Sequence, residues 1–193
     1  MASVSYAMAE EALRERLSPG ALAHSQRVAH AAAELAGVYD VDVDEARLAG
    51  LLHDWHRDLD DDSLLVQAEA LGVCVSDVDI AIPYLLHART GSASLASAFP
   101  ALPRSVLDAV ERHTVGASDM TDLDRVVYLA DMLEPGRKHA PLDGLRDDIG
   151  KVPLTELFER AYAASLQHLV ERRKLIHPDT VAVWNSLARA GRR

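Results

Sequence analysis

The chain has 193 residues and a formal net charge of −10, and 49% of it is hydrophobic but only 5% aromatic. That is enough for one domain with a core of alanine, leucine and valine, which favours close-packed helices over a sheet. The acidic balance excludes a broad basic grip on nucleic-acid polymers, the single cysteine (Cys74) excludes an internal disulfide, and no run reaches the roughly 18 apolar residues of a membrane span.

The N-terminal stretch "MASVSYAMAEEALRERL" has no basic region followed by an apolar one, so no leader is expected and the cytosol is the expected setting. Ser18-Pro19 reads as an N-cap with proline at the first helical position. The helix it opens runs through Leu22, Val28, Ala32 and Leu35 to Gly37, with His24 in its first turn. Asp42 with Glu45 starts a helix carrying Leu48, Leu51 and Leu52. A short helix follows from Ser63 to Leu71, capped by Asp62 or Ser63 and stopped by Gly72. "IPYLLHARTGS", "FPALPRS" and "RKHAPLDG" have loop character, and "RSVLDAVERH" is a helix closed by His113. Thr121 with Asp124 opens another helix, ended by Pro135-Gly136, with Asp122 and Asp124 on its solvated side. "LTELFERAYAASLQHLVERRK" and "DTVAVWNSLARAG" complete the set. The expected fold is all-α, one domain over residues 1–193.

The stretch "LAGLLHDWHRDLDDD" raises a choice of chemistry. Counted from Asp58, its acids and Glu69 fall on most ligand positions of a calcium loop, but Ser63 stands where the sharp turn needs glycine, and "SLLVQAEAL" continues as helix. The aspartates at 58, 60, 61 and 62 therefore read as a solvated link to the next helix. The adjacent His53-Asp54 pair is different. His53 lies one helical step beyond Ala49 and Leu52 and should point inward; His87 follows an apolar run, and Asp131 sits within the apolar "VVYLADML". A carboxylate on a buried helical face is costly unless paired or bound to metal. Imidazole with carboxylate suits first-row metals, iron being natural for a mixed nitrogen and oxygen set. Neighbours on a helix point about 100° apart, so His53 and Asp54 flank a centre rather than chelate one ion side by side.

The order His24, His53-Asp54, His87, His113 and Asp131 resembles the two-metal branch of the HD-domain metal-dependent phosphohydrolases. The words "LLHDWHRD", "LLHARTG", "VERHTVGASDMTDLDRVVYLADMLEPGR" and "HPDTVAVWN" are similar to those of the YqeK family of symmetrical dinucleoside tetraphosphate hydrolases, from about His24 to Asn185. The resemblance implies a helical bundle with a metal-site core over about 18–137 and C-terminal helices over about 143–190. It implies that His24, His53, Asp54 and Asp131 hold one ion, and that Asp54, His87 and His113 hold a second, with Asp54 bridging. The family's metal is typically iron, with manganese or another first-row ion as alternatives.

Asp54, Arg57 and Asp131 would serve catalysis, and Arg57, Thr114 and Arg137 would contact substrate. Arg57 stands where related sequences usually have lysine, which keeps the charge but replaces an ammonium with a planar fork. Val115 replaces a usual small hydroxyl residue, so its side chain offers no hydrogen bond. The implied substrate is two nucleosides joined by four phosphates, cleaved to two nucleoside diphosphates by a metal-activated water. Arg27, Arg57, Arg89, Arg137 and Lys138 are the local cations available against the acidic background. His56 is near enough in sequence to be tested as a general acid. Other nucleotide hydrolysis or a non-catalytic nucleotide-binding module are the competing readings, and a homodimer is left open.

Overall fold

The computed structural model describes residues 4–138 and 141–190; His139 and Ala140, in the expected loop after Arg137, and the chain termini lie outside them. The described residues form eleven α-helices and one 3-10 turn, with no strand among them. Helix α1 spans Tyr6–Arg14 and α2 Pro19–Tyr39, the latter capped by the Ser18 hydroxyl. Helix α2 begins at Pro19, so His24 is its sixth residue and lies in the second turn, not the first; the helix passes through Gly37 and ends at Asp40 in the left-handed conformation. Helix α3, Val43–Leu52, starts at Asp42, whose carboxylate accepts from the Glu45 amide, and His53 closes it. Helix α4, Asp61–Ala70, is capped by Asp60, two residues before the earlier of the two expected caps. Asp60 wins because its carboxylate reaches the Ser63 amide, with Asp61 and Asp62 favourably placed in the first turn.

The largest departure from the sequence reading is "IPYLLHARTGS". It forms the 3-10 turn Pro83–Leu85 and then helix α6, Leu86–Ala98, preceded by the five-residue α5, Asp77–Ala81. Proline at the start of the turn costs no helical hydrogen bond, and Thr90, Gly91 and Ser92 are buried against neighbours rather than exposed in a loop. Helix α7, Arg104–Arg112, and α8, Asp122–Leu133, follow as expected, α8 with a full capping box at Thr121 and Asp124. Asp124 is nevertheless buried, because its carboxylate also accepts from Arg112 on α7 at 2.8 Å. The "PLDG" half of the last expected loop belongs to α9, Pro141–Asp147; α10, Leu154–Glu171, and α11, Pro178–Ala190, finish the chain.

Helices α2, α3, α7 and α8 pack on one another around an alanine- and leucine-rich core, with α6 against α7 and α10 against α8. Small residues let them approach closely. A β-carbon on Gly50 of α3 would come within 3.0 Å of the Ala29 Cα, the Ala32 Cβ and the Val28 carbonyl of α2. Glycine is what lets the helix carrying His24 lie against the one that ends at His53. Among the described residues, no helix is long and apolar enough to cross a membrane.

Candidate metal centre

The six residues singled out as ligands come from five different elements and meet in one place. His24 projects from α2, His53 and Asp54 follow the last turn of α3, His87 lies in the first turn of α6, His113 caps α7, and Asp131 lies in the last turns of α8. Three of the imidazoles are held by the same local device. His53 Nδ1 lies 2.8 Å from the Gly50 carbonyl, His87 Nδ1 2.6 Å from that of Tyr84, and His113 Nδ1 2.7 Å from that of Val110, each three residues back along the chain. A carbonyl only accepts, so each Nδ1 carries a proton and each Nε2 is the nitrogen left facing inward. His24 is fixed differently: its Nδ1 is 3.2 Å from Oε1 of Glu134, a carboxylate with the same effect.

Asp54 is 1% exposed, and its two oxygens face two groups of ligand atoms. Oδ2 lies 3.1 Å from His53 Nε2 and 3.5 Å from His24 Nε2, and Asp131 Oδ1 is 3.0 Å from that same His24 nitrogen. Oδ1 lies 3.2 Å from His87 Nε2 and 3.8 Å from His113 Nε2. The donors therefore divide about one carboxylate. Nε2 of His24 and of His53 is buried with no well-directed hydrogen bond, despite carboxylate oxygens at 3.0 and 3.1 Å. Buried, orphaned nitrogens converging with carboxylates fit a metal and are otherwise costly. His24, His53 and Asp131 form one set able to hold an ion, and His53, Asp54 and His113 another.

Electrostatics follow from this crowding. Burial opposes charge on Asp54, but His53, His87 and His113 outweigh it and hold the carboxyl well below the usual range. Burial likewise opposes charge on Asp131, and His24, His53 and Arg137 keep it ionised. His113 is pushed down to about 3, first by burial and then by the neighbouring His53 and His87. Asp131 is not fully buried: its side chain is 23% exposed because it forms the rim of an open cleft.

That cleft, of about 530 Å³, is lined by Asp54, His87, His113 and Asp131 on one side and by Ala164, Ser165 and His168 of α10 on the other. Arg57, Arg137, Lys138 and Thr114 also line it, so positive charge is concentrated there in an acidic protein. Arg57 pairs with Asp54, and Arg137 Nη2 is 2.7 Å from Asp131 Oδ1. The other two expected cations do not line it. Arg89 pairs with Asp79 and donates to the Cys74 carbonyl, and Arg27 is anchored on Glu134. His56 does not line it either. Its Nδ1 is 3.0 Å from the Thr90 hydroxyl, and burial, aided by Arg16, depresses it to about 4, so it is a neutral packing residue.

The sequence reading passed over two residues. Glu134 is 2% exposed and serves His24, Arg27 and the Gly136 amide together. Its only signal is a carboxylate immediately after an apolar helix, in "EPGR". Tyr84 lines the cleft with its ring tilted over His87 at 4.5 Å, and nothing in "IPYLL" distinguished it from core.

Comparison with known proteins identifies the family. The HD domain profile matches residues 21–136. The chain is 33% identical over 141 residues to a symmetrical bis(5'-nucleosyl)-tetraphosphatase of Staphylococcus aureus, covering 72% of this chain and 71% of that one. It is 27% identical over 183 residues to the Bacillus subtilis protein of the same name, covering 92% and 96%. Among solved structures, a predicted HD superfamily hydrolase involved in NAD metabolism, from Clostridium acetobutylicum, superposes with a TM-score of 0.90 at 28% identity, covering 98% of this chain and all of that one.

Proposed function

The chain belongs to the HD-domain family, among relatives of the symmetrical bis(5'-nucleosyl)-tetraphosphatases, and from that premise we propose that it hydrolyses diadenosine tetraphosphate and related dinucleoside polyphosphates symmetrically, giving two molecules of ADP from the former. The observation that carries this reading is the division of imidazole nitrogens about the two oxygens of Asp54, at the floor of a cleft whose cations are two arginines and a lysine.

In this reading His24, His53, Asp54 and Asp131 would hold one first-row ion and Asp54, His87 and His113 the other, the division following which Asp54 oxygen each imidazole faces, with iron suiting the mixed nitrogen and oxygen donors. Such a pair, when bound, supplies the charge that acidifies a water and neutralises phosphate oxygens. The residues of the chain do the rest. The backbone carbonyls and Glu134 keep each Nδ1 protonated, so no ligand nitrogen is lost to the wrong tautomer. Arg57, beside Asp54, and Arg137, beside Asp131, draw the non-bridging oxygens of the tetraphosphate into line, and the Thr114 hydroxyl donates a further hydrogen bond.

Water's oxygen bonds to one inner phosphorus, the bond from that phosphorus to the central bridging oxygen breaks, and ADP leaves with the electron pair. A diphosphate is a good leaving group, so no strong general acid is required, which agrees with the seclusion of His56. The chain is expected to work in the cytosol on a small-molecule substrate. Metal-replete protein incubated with diadenosine tetraphosphate should give ADP as the sole product; ATP with AMP would establish asymmetric cleavage and sink the reading.

A further inference from the structure

Arg146 of α9 lies outside the cleft, yet two of its three guanidinium nitrogens donate to the chain that carries Arg137. Its Nε donates to the Leu133 carbonyl at 3.0 Å, and its Nη2 donates to the carbonyls of Arg137 at 2.6 Å and Glu134 at 3.3 Å. Its Nη1 is held by Asp143 Oδ1 at 2.8 Å, one turn earlier in α9. The four carboxyl-terminal carbonyls of a helix have no partner within it, and a fork of five donors in one plane suits several of them at once. The turn is secured from beneath as well. The Glu134 carboxylate accepts the Gly136 amide, and a β-carbon on Gly136 would lie 2.8 Å from both Glu134 oxygens and 2.9 Å from Arg27 Nε. The Arg137 amide closes the turn on the Glu134 carbonyl at 2.9 Å, and from there its side chain reaches back to the Asp131 carboxylate and carbonyl at the cleft rim.

We propose that Arg146 is a positioning residue for phosphate recognition: by bridging the carbonyls of residues 133, 134 and 137 it fixes the Glu134–Arg137 turn and so presents the Arg137 guanidinium to the cleft. Arg146 touches no substrate, since each of its nitrogens is already committed to the protein. Lysine keeps the charge but has a single nitrogen, which cannot span carbonyls that the arginine reaches from Nε and Nη2. The inference rests on the proposed role of Arg137 for its kinetic part, and stands apart from it for its structural part.

Three measurements on Arg146→Met, Arg146→Lys, Arg137→Ala and the Arg146→Met/Arg137→Ala double variant test it. Amide hydrogen exchange should show the Gly136 and Arg137 amides losing protection in Arg146→Met, with metal per chain unchanged. The KM for diadenosine tetraphosphate and the Kd for ADP should rise about tenfold with kcat within about twofold, a loss of uniform binding worth roughly 1.4 kcal/mol. Arg146→Lys should recover little of this. Arg146→Met should add almost nothing in the Arg137→Ala background, because it acts through that side chain. Unchanged protection of the turn overturns the proposal whether or not the protein cleaves the dinucleotide. Equal losses with and without Arg137, or full rescue by lysine, overturn it also. Altered turn exchange without any cleavage or ADP binding by the unsubstituted protein would instead fault the proposed activity.

Discussion

Two clusters of buried histidine and aspartate occur among the described residues, and they differ in what their polar atoms have found. At Asp79 both carboxylate oxygens are engaged: one with Arg89, the other with the Ser76 amide and hydroxyl at 2.8 and 2.7 Å and with His177 Nε2 at 3.3 Å. That cluster caps α5 and ties it to the start of α11. At Asp54 the carboxylate is as deeply buried and lines a cleft with His87 and His113, but Nε2 of His24 and of His53 beside it has no well-directed partner. The same residue types thus make a structural staple in one place and a candidate ligand set in the other. Burial and residue type do not separate them; hydrogen-bond satisfaction does.

Substitution breaks that contrast in opposite directions. Asp54→Ala should abolish metal retention and lower kcat/KM by about a thousandfold or more, the scale of several kcal/mol of lost charge stabilisation. Turnover surviving with metal bound would refute the bridging role. Asp79→Ala should leave metal content and kcat intact while destabilising the fold by about 3 kcal/mol, because it strands Arg89 in a buried pair; a denaturant titration reads it out, and loss of metal would erase the distinction between the clusters.

Acid sharpens the difference further. Burial alone would raise the Asp79 pKa, but Arg89 and Ser76 overcome it and hold the group at about 2, below the ordinary 3.8. A depressed carboxylate contributes stability that is fully present above about pH 4 and is lost as pH falls towards 2, here on the order of 2 kcal/mol. The acid limb of unfolding should therefore flatten in Asp79→Asn relative to the unsubstituted protein, and superimposable limbs would dismiss the linkage. Smallest of the four, Arg57→Lys should raise the KM for diadenosine tetraphosphate only a few-fold, about 1 kcal/mol, since charge is kept and the bidentate fork lost. An unchanged KM would remove Arg57 from phosphate binding.

The candidate ligands could be singled out in the sequence because helix ends and apolar faces mark some of them and the family resemblance supplies the rest. His53, His113 and Asp131 each sit where a periodic run places its side chain inward. Helix α6 was concealed because Pro83, Thr90, Gly91 and Ser92 are turn formers in isolation; burial of the last three overrides that preference. Asp124 and Glu134 were obscured for a related reason. Acids at helix ends are ordinarily solvated, and only the arginines that reach them, Arg112 from α7 and Arg27 from α2, make them interior. Arg146 was beyond reach, since a sequence does not show which carbonyls a distant guanidinium will find.

Gly50 has a consequence beyond close packing. It sets the distance between α2 and α3, and its own carbonyl aims the His53 ring, whose centroid is 5.3 Å from that of His24. The crossing of two helices would thereby act as a gauge for ionic radius: the missing methyl would determine how large an ion the two imidazoles could share. Gly50→Ala should shift the relative affinity for smaller and larger divalent ions without altering a single donor atom, and competition between zinc and manganese would register the change. A metal shared by His24 and His53 would thus be selected partly by the spacing of the scaffold, one atom thick, where no ligand inventory would show it.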